Sequence, residues 1–100
     1  MVKHIILWQL KDELDGDRKN TVKAGIKNRL ENLLGQIPGL QEIEVKTDGL
    51  PTSNADVMLY SVFDDAAALA AYAVHPAHVA AANEAVRPFT KTRLCLDFEE

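Results

Sequence analysis

The chain has 100 residues, of which 47% are hydrophobic and 26% charged, as expected for one domain spanning residues 1–100, and this length excludes most multidomain enzymes. Acidic residues outnumber basic ones by 15 to 11, and the resulting charge of −4 argues against nucleic acid as a partner. A single cysteine, Cys95, excludes an internal disulfide framework and fits a reducing compartment. No apolar run approaches the roughly 20 residues of a membrane span, and the first residues lack the long apolar stretch of a signal peptide. We therefore expect a cytoplasmic protein without a membrane partner.

The first predicted element is a strand over residues 2–10, VKHIILWQL, which is rich in β-branched and aromatic residues. Both of its faces are apolar: one carries His4, Ile6, Trp8 and Leu10, and the other carries Ile5 and Leu7. A strand of this kind must be covered on both sides, and a helix layer supplies cover for only one of them.

A helix is predicted next, beginning at Asp15-Gly16-Asp17. Apolar residues then recur at steps of three and four, the stripe of an amphipathic helix: Val22, Ile26, Leu30, Leu33 and Ile37. Gly35 and the pair Pro38-Gly39 are predicted to end this helix.

The rest of the chain is predicted to form three more strands and a second, broken helix. The strands cover residues 41–48, 55–63 and 89–98, and the last of them places Thr92, Leu94, Leu96 and Phe98 on one face. Residues 49–54 form a loop, in which Gly49 is expected to take a positive φ. Eleven of the twenty residues from 66 to 85 are alanine, a composition typical of a helix that packs closely, and Pro76 interrupts it.

This order of elements predicts an α+β, ferredoxin-like split βαβ fold with an antiparallel four-stranded sheet. Both helices lie on one face of such a sheet, so the opposite apolar face also needs cover. Two copies that pair these faces satisfy that need, and we expect a homodimer in which two sheets form a dimeric α/β barrel.

The densest cluster of chemically useful side chains is YAVHPAH, residues 72–78. Proline disfavours a helical conformation at His75 and suits the start of a new helix, which puts His78 in the first turn. Amide dipoles there disfavour a charged imidazole, so we expect His78 to be neutral near pH 7 and able to accept a proton. With Tyr72 as a hydrogen-bond donor, the pair suits proton abstraction next to a carbonyl group. The alternative is structural: His75 caps a helix and His78 packs as an aromatic ring.

Other polar residues give weaker signals. His4 lies among apolar neighbours and is interpreted as a buried, hydrogen-bonded core residue. The spacing HPxH lacks the glutamate of the zinc motif HExxH, so no metal site is predicted from the histidines. Cys95 falls in an apolar strand and is interpreted as core rather than nucleophile. Arg93 is either a solvated edge residue or a cation near the mouth of a pocket.

The sequence resembles the stress-responsive A/B barrel domain (Dabb) family of the dimeric α+β barrel superfamily. The resemblance rests on VKHIILWQLKDE, IPGLQEIEVKTDG, ADVMLYSVFDD, LAAYAVHPAHV and LDFE, which together span nearly the whole chain. It implies the same fold and a homodimer. In plant members similar to olivetolic acid cyclase, which close linear polyketides by aldol chemistry without an organic cofactor, residues matching Tyr72 and His78 serve as donor and base.

The resemblance also implies a ligand cavity. We expect its walls to include His4, Ile6, Trp8, Leu59, His75 and Arg93. No cofactor is expected, although family members can hold a cation, commonly Mg²⁺, on backbone carbonyls that here match Leu34, Ile37 and Leu40. Trp8 and Arg93 replace aliphatic residues of the plant cyclase pocket, so a different ligand is expected.

Three functions are compatible with this sequence. The first is a cofactor-independent lyase or cyclase with His78 as base and Tyr72 as donor. The second is a non-catalytic, stress-associated dimer that either binds a small apolar or carbonyl-containing ligand or has no ligand, and the third is a cofactor-free monooxygenase. A cavity of several hundred cubic ångströms favours the first or third, and a filled interior favours the second without a ligand.

Overall fold

A computed structural model describes residues 1–100 as a four-stranded sheet with one layer of helices. In chain order, the elements are β1 (Val2–Leu10), α1 (Gly16–Glu31), β2 (Leu40–Lys46), β3 (Val57–Phe63), α2 (Ala66–Val74), α3 (Pro76–Ala81) and β4 (Thr90–Glu99). None of the helices combines the length and the apolar character needed to cross a membrane.

The strands lie in the order β2-β3-β1-β4, and every neighbouring pair is antiparallel. This arrangement confirms the predicted ferredoxin-like α+β fold. Because β1 is central, its residues have partners on both sides, and the register sets His4 opposite Ser61 on β3 and Asp97 on β4. Trp8 lies opposite Arg93 in the same way, so this part of β4 contributes charged side chains to the face that the helices cover.

The core lies between the sheet and the helix layer. Its most deeply buried side chains come from both layers and include Ile26, Leu30, Val45, Leu59 and Phe63. The outer face of the sheet has no helix over it, and Leu7, Leu94 and Leu96 are exposed there. Both faces of β1 are therefore apolar as predicted, and only one of them is covered within the chain.

Helix α1 is shorter than predicted, because it ends at Glu31 rather than near Ile37. Beyond it the backbone winds on through i to i+3 hydrogen bonds, such as that from the Leu33 amide to the Leu30 carbonyl (3.1 Å). This tighter turn still buries Leu33 and Ile37, so the apolar stripe continues past the end of the helix.

Positive φ angles occur at Gly35 (+89°) and Gly39 (+83°), which follow α1, and not at Gly49, so the prediction for Gly49 is wrong. At Gly39 a second requirement applies, since a Cβ built there would lie 2.6 Å from the Cβ of Ala68 on α2. Glycine facing alanine thus lets α2 pack closely against the start of β2.

The alanine-rich segment breaks at Pro76 as predicted. Asp65 begins α2 by accepting a hydrogen bond from the Ala68 amide (2.8 Å), and α3 then runs from Pro76 to Ala81. The chain continues through a π-helical turn over 82–86 and a 3₁₀ turn over 87–89, neither of which was predicted. These turns carry the backbone from the helix layer to β4 and form part of the wall described below.

Cys95 differs from its prediction. Its apolar neighbours Leu94 and Leu96 predict a core residue, but its side chain is exposed. The reason is topological: β4 is an edge strand, and nearly all of its residues are exposed on the sheet face beneath the helices as well as on the outer face.

Candidate functional site

A cavity of about 380 Å³ lies between the sheet and the helix layer, within the usual size range of small-molecule sites. Its apolar wall is formed by Ile6, Trp8, Leu30, Leu59, Leu69, Ala73, Ala82 and Val86, and its polar groups come from His4, Tyr72, His78, Arg87, Thr90 and Arg93. Of the side chains predicted from the sequence to form the site, all except His75 line this cavity.

Tyr72 supplies the most deeply buried polar group of the cavity. Its residue is 2% exposed, and its hydroxyl has no hydrogen-bond partner. Burial raises the pKa of this phenol above its ordinary value, so the group stays protonated at neutral pH. Since buried polar groups are nearly always paired, an unpaired hydroxyl on a cavity wall marks a place where a ligand oxygen would fit.

His78 lies against Tyr72, with ring centroids 4.1 Å apart and the planes tilted by 33°. Burial lowers the pKa of this imidazole, and the positive charges of Arg87 and Arg93 act in the same direction, against a hydrogen bond to the Ala73 carbonyl. Nδ1 lies 3.3 Å from that carbonyl oxygen, so the tautomer with a proton on Nδ1 donates there. Nε2 is then left as a proton acceptor.

A second histidine of the cavity, His4, is hydrogen-bonded to a carboxylate, that of Asp97. Nδ1 of His4 is hydrogen-bonded to Oδ1 of Asp97, and the His4 ring lies edge-on to that of Tyr72, with 6.1 Å between centroids. Ser61, fully buried, donates its hydroxyl to the His4 carbonyl (3.1 Å) and helps fix the backbone. A carboxylate on Nδ1 holds the imidazole in one orientation and one tautomer, the arrangement used by histidine–aspartate pairs.

Sequence reasoning missed Asp97 as a functional residue. The available signal was alternation, since Asp97 stands between the apolar residues Leu96 and Phe98 and shares a strand face with Arg93. Its partner could not be inferred, because the pairing of Asp97 with His4 depends on the register between β1 and β4.

His75, predicted as a pocket residue, is not part of the cavity wall. Its Nδ1 accepts a hydrogen bond from the Ala77 amide (3.1 Å), so the side chain caps the N-terminus of α3. The prediction that His75 lines the pocket is wrong for a local reason. Because it precedes Pro76, His75 has an extended backbone (φ −66°, ψ 132°), and its ring points to the amides of the next helix. This geometry is the capping alternative considered above.

One group of side chains brings metal-ligand atoms together. Atoms of His4, Cys95 and Asp97 lie within 4.8 Å of one another. The His4 nitrogen and the Asp97 oxygen are already joined by their hydrogen bond. Partial desolvation of the sulfur and the adjacent Asp97 carboxylate raise the pKa of the Cys95 thiol, which favours the protonated form over the thiolate that metals bind.

The cation site implied by the family resemblance has a weak donor set in this chain. Its three carbonyl groups lie in or next to the turns after α1, and that of Ile37 accepts a hydrogen bond from the Leu40 amide (3.3 Å). No carboxylate is among the expected ligands, although Mg²⁺ is normally held through carboxylates. The residues do not fit a tightly bound cation.

A second, more open groove of about 680 Å³ lies along the loop after β2. Its charged residues are largely occupied by partners within the chain: Lys27 bonds to Glu31, Lys46 to Glu44, and Asp56 to Lys19. Among these charged residues only Asp48 has no partner within the chain, so the groove offers fewer unpaired polar groups than the first cavity.

Comparisons with known proteins agree with this fold. The chain matches the family model of the Stress Responsive A/B Barrel Domain over residues 2–100. No curated protein matches the sequence. Among solved structures, a dimeric protein of unknown function with a ferredoxin-like fold from Bacteroides fragilis is 34% identical, with a TM-score of 0.92, and the match covers 99% of this chain and 95% of that one.

Two further structures are similar at lower identity. A dimeric ferredoxin-like protein of unknown function from Thermobifida fusca is 26% identical, with a TM-score of 0.77 over 97% of this chain and 88% of that one. Hydroxynitrile lyase from Passiflora edulis is 20% identical, with a TM-score of 0.73 over 97% and 90%, and at this identity the likeness concerns the fold alone. The match over nearly the full length decides the assignment: the chain belongs to the stress-responsive A/B barrel domain family.

Proposed function

We propose that this protein performs cofactor-independent acid–base chemistry on a small carbonyl compound, of the lyase or cyclase type. His78 is the base that removes a proton next to the carbonyl group, and Tyr72 donates a hydrogen bond to the carbonyl oxygen. The observation that carries the proposal is the unpaired, buried hydroxyl of Tyr72 beside an imidazole whose pKa is lowered.

The two groups have complementary protonation states. A phenol with a raised pKa keeps its proton and stabilises the negative charge that develops on oxygen when the adjacent carbon loses a proton. An imidazole with a lowered pKa is unprotonated at neutral pH and can accept that proton. Both act in a mostly apolar cavity, where hydrogen bonds and charges have larger effects than in water.

His4 and Asp97 provide a second acid–base pair on the opposite wall. In lyase or cyclase chemistry a proton removed at one carbon must be balanced by a proton delivered to the product or leaving group. With Nδ1 bonded to Asp97, the other nitrogen of His4 is the atom available for this transfer. The fold is compatible with such chemistry, since Passiflora edulis hydroxynitrile lyase shares it.

The protein is further proposed to act as a homodimer. Leu94 and Leu96 are each 64% exposed on the outer face of the sheet, next to the exposed Leu7, and single chains rarely leave such a face open. Similar structures from Bacteroides fragilis and Thermobifida fusca are described as dimeric. A second copy packed on this face would leave the cavity, on the other side of the sheet, accessible.

Deuterium exchange tests the proposed chemistry without knowledge of the natural substrate. Acetophenone is incubated with the protein in D₂O, and loss of the methyl proton signal is followed by NMR. The wild-type protein is expected to accelerate exchange over buffer, and His78→Gln to slow it by about 100-fold, the usual contribution of a general base. Tyr72→Phe is expected to slow exchange as well.

His75→Asn is the matched control, because asparagine preserves helix capping and this histidine is outside the cavity. It is expected to exchange protons at the wild-type rate. Wild-type exchange no faster than buffer across a panel of aryl and alkyl ketones, with binding still detected by NMR, would favour the non-catalytic ligand-binding alternative instead.

A further inference from the structure

Two arginines reach the cavity from different elements. Arg87 begins the 3₁₀ turn after α3, and Arg93 lies on β4 opposite Trp8. Both line the cavity, and both are exposed residues, so their guanidinium groups lie on the side of the cavity that opens to solvent.

Neither arginine has a carboxylate partner. Five other basic side chains are paired with carboxylates, and one of them, Arg29, bonds to Glu84, only three residues before Arg87. Arg87 instead donates to the neutral amide oxygen of Asn83 (2.5 Å), which orients the guanidinium without neutralising it. In a protein with a net charge of −4, two unpaired positive groups at one cavity are a local concentration of positive charge.

These charges act on the interior of the cavity. Both arginines help to lower the pKa of His78, and Arg93 also acts on Tyr72. An anion held at the arginines would thus lie close to the proposed reacting groups. Guanidinium groups bind carboxylate and phosphate oxygens through paired N–H donors. Two guanidinium groups at one site therefore favour an anionic ligand group over a neutral one.

We propose that the ligand of this cavity is an amphiphilic anion: an apolar body, a carbonyl oxygen at Tyr72, and a carboxylate or phosphate group at Arg87 and Arg93. The inference rests on the proposed function for the carbonyl position alone. The apolar wall that would receive the body includes Ile6, Trp8 and Leu59. The substrate class is accordingly an oxo acid with an aromatic or branched aliphatic body, or its phosphate counterpart.

The test compares three probes that differ at one end: 4-oxo-4-phenylbutanoate, its methyl ester, and the phosphonate of the same chain length. Dissociation constants are measured by NMR shift titration on the wild-type protein, Arg87→Gln, Arg93→Gln and the double variant. Arg18→Gln is the matched control, because it removes one exposed positive charge from α1, away from the cavity. Amide spectra confirm that each variant is folded.

The wild-type protein is expected to bind the acid about 10-fold more tightly than the ester, as a charge-assisted hydrogen bond predicts. The preference should fall in each single cavity variant, disappear in the double variant and persist in Arg18→Gln. Tighter binding of the phosphonate than of the carboxylate would support the anionic end and assign it to phosphate. Equal binding of acid and ester by the wild-type protein, or a preference that survives in the double variant, would overturn the inference.

Binding and proton exchange separate this inference from the proposed function. Preferential binding of the acid without any proton exchange would leave the anion site standing and remove the proposed chemistry. Exchange of acid and ester at equal rates and equal affinities would do the reverse.

Discussion

Replacing Tyr72 by phenylalanine removes a single hydroxyl and leaves the ring in place. In the folded chain that hydroxyl is buried and no group of the chain hydrogen-bonds to it, so folding provides no protein partner in place of its hydrogen bonds to bulk water. Burial of an unpaired hydroxyl costs roughly 1–3 kcal/mol in protein mutational data. Because this oxygen faces a cavity rather than packed carbon atoms, we expect the lower end, and Tyr72→Phe should stabilise the unliganded protein by about 1 kcal/mol.

The only other tyrosine of the chain provides the matched control. The hydroxyl of Tyr60 accepts a hydrogen bond from Nζ of Lys3 (3.1 Å) and is partly buried. Its removal is expected to leave stability unchanged or to lower it by about 0.5 kcal/mol, the low end for one hydrogen bond. Urea unfolding at one fixed protein concentration measures both variants, since dimerisation makes stability depend on concentration.

The two variants should therefore shift in opposite directions, and ligand binding should be weaker in Tyr72→Phe despite its higher stability. For a domain of this size, 1 kcal/mol corresponds to roughly 4–8 °C in the thermal midpoint, which is easily resolved. A Tyr72→Phe variant less stable than wild type by 1 kcal/mol or more would mean that the hydroxyl already has a partner. The argument that it is available for a ligand oxygen would then fail.

Three further expectations concern the base, the outer face and a close contact. The pKa of His78 should lie below the ordinary value of 6.5 in an NMR titration. Because the unfolded chain then takes up the proton at a higher pH than the folded one, the contribution of His78 to the free energy of unfolding is complete above pH 6.5 and declines as the pH falls below it. A pKa at or above 6.5 would remove the neutral base. Leu96→Glu should give a monomer in analytical ultracentrifugation, whereas Val74→Glu, on the exposed side of α2, should stay dimeric. If both variants stay dimeric, the outer face of the sheet is not the interface. Gly35→Ala should lower the free energy of unfolding by about 1 kcal/mol, because alanine strains at a positive φ. Gly39→Ala should lower it by about 2 kcal/mol more, because only there would the new Cβ meet a neighbouring Cβ, and equal urea midpoints for the two variants would contradict this contact.

The fold could be predicted from the sequence because its signals are local. The apolar run in residues 2–10, the alternation in residues 89–98 and the apolar steps from Val22 to Ile37 each depend on neighbours within a few positions. The predicted ends of the elements were less accurate, because the same local signals do not show where a helix stops. Leu33 and Ile37 continue the apolar stripe and are buried, but i to i+3 turns rather than an α-helix carry them, and hydrophobic spacing does not distinguish the two.

The candidate site was only partly predictable, since its parts come from distant segments. Tyr72 and His78 are close in sequence, and the proline between them predicts the break between α2 and α3 that brings their rings together. Asp97 and His4 are 93 positions apart, so their hydrogen bond depends on a strand register that no single segment encodes. The prediction for Cys95 was wrong for a related reason: its neighbours Leu94 and Leu96 are apolar, but the position of β4 at the edge of the sheet depends on the topology.

Where the chain leaves its polar groups unpaired is itself informative. Most of its charged side chains in the second groove and on the helix surfaces find partners, which is the arrangement expected when only stability is selected. At the first cavity the Tyr72 hydroxyl, Arg87 and Arg93 have no such partners, and the side chains around them, among them Ile6 and Leu59, are apolar. A chain that keeps apolar residues there and leaves the donors free accepts a lower stability at this one place. A ligand that brings its own acceptors, a carbonyl oxygen and an anionic group, would recover that stability only while it is bound.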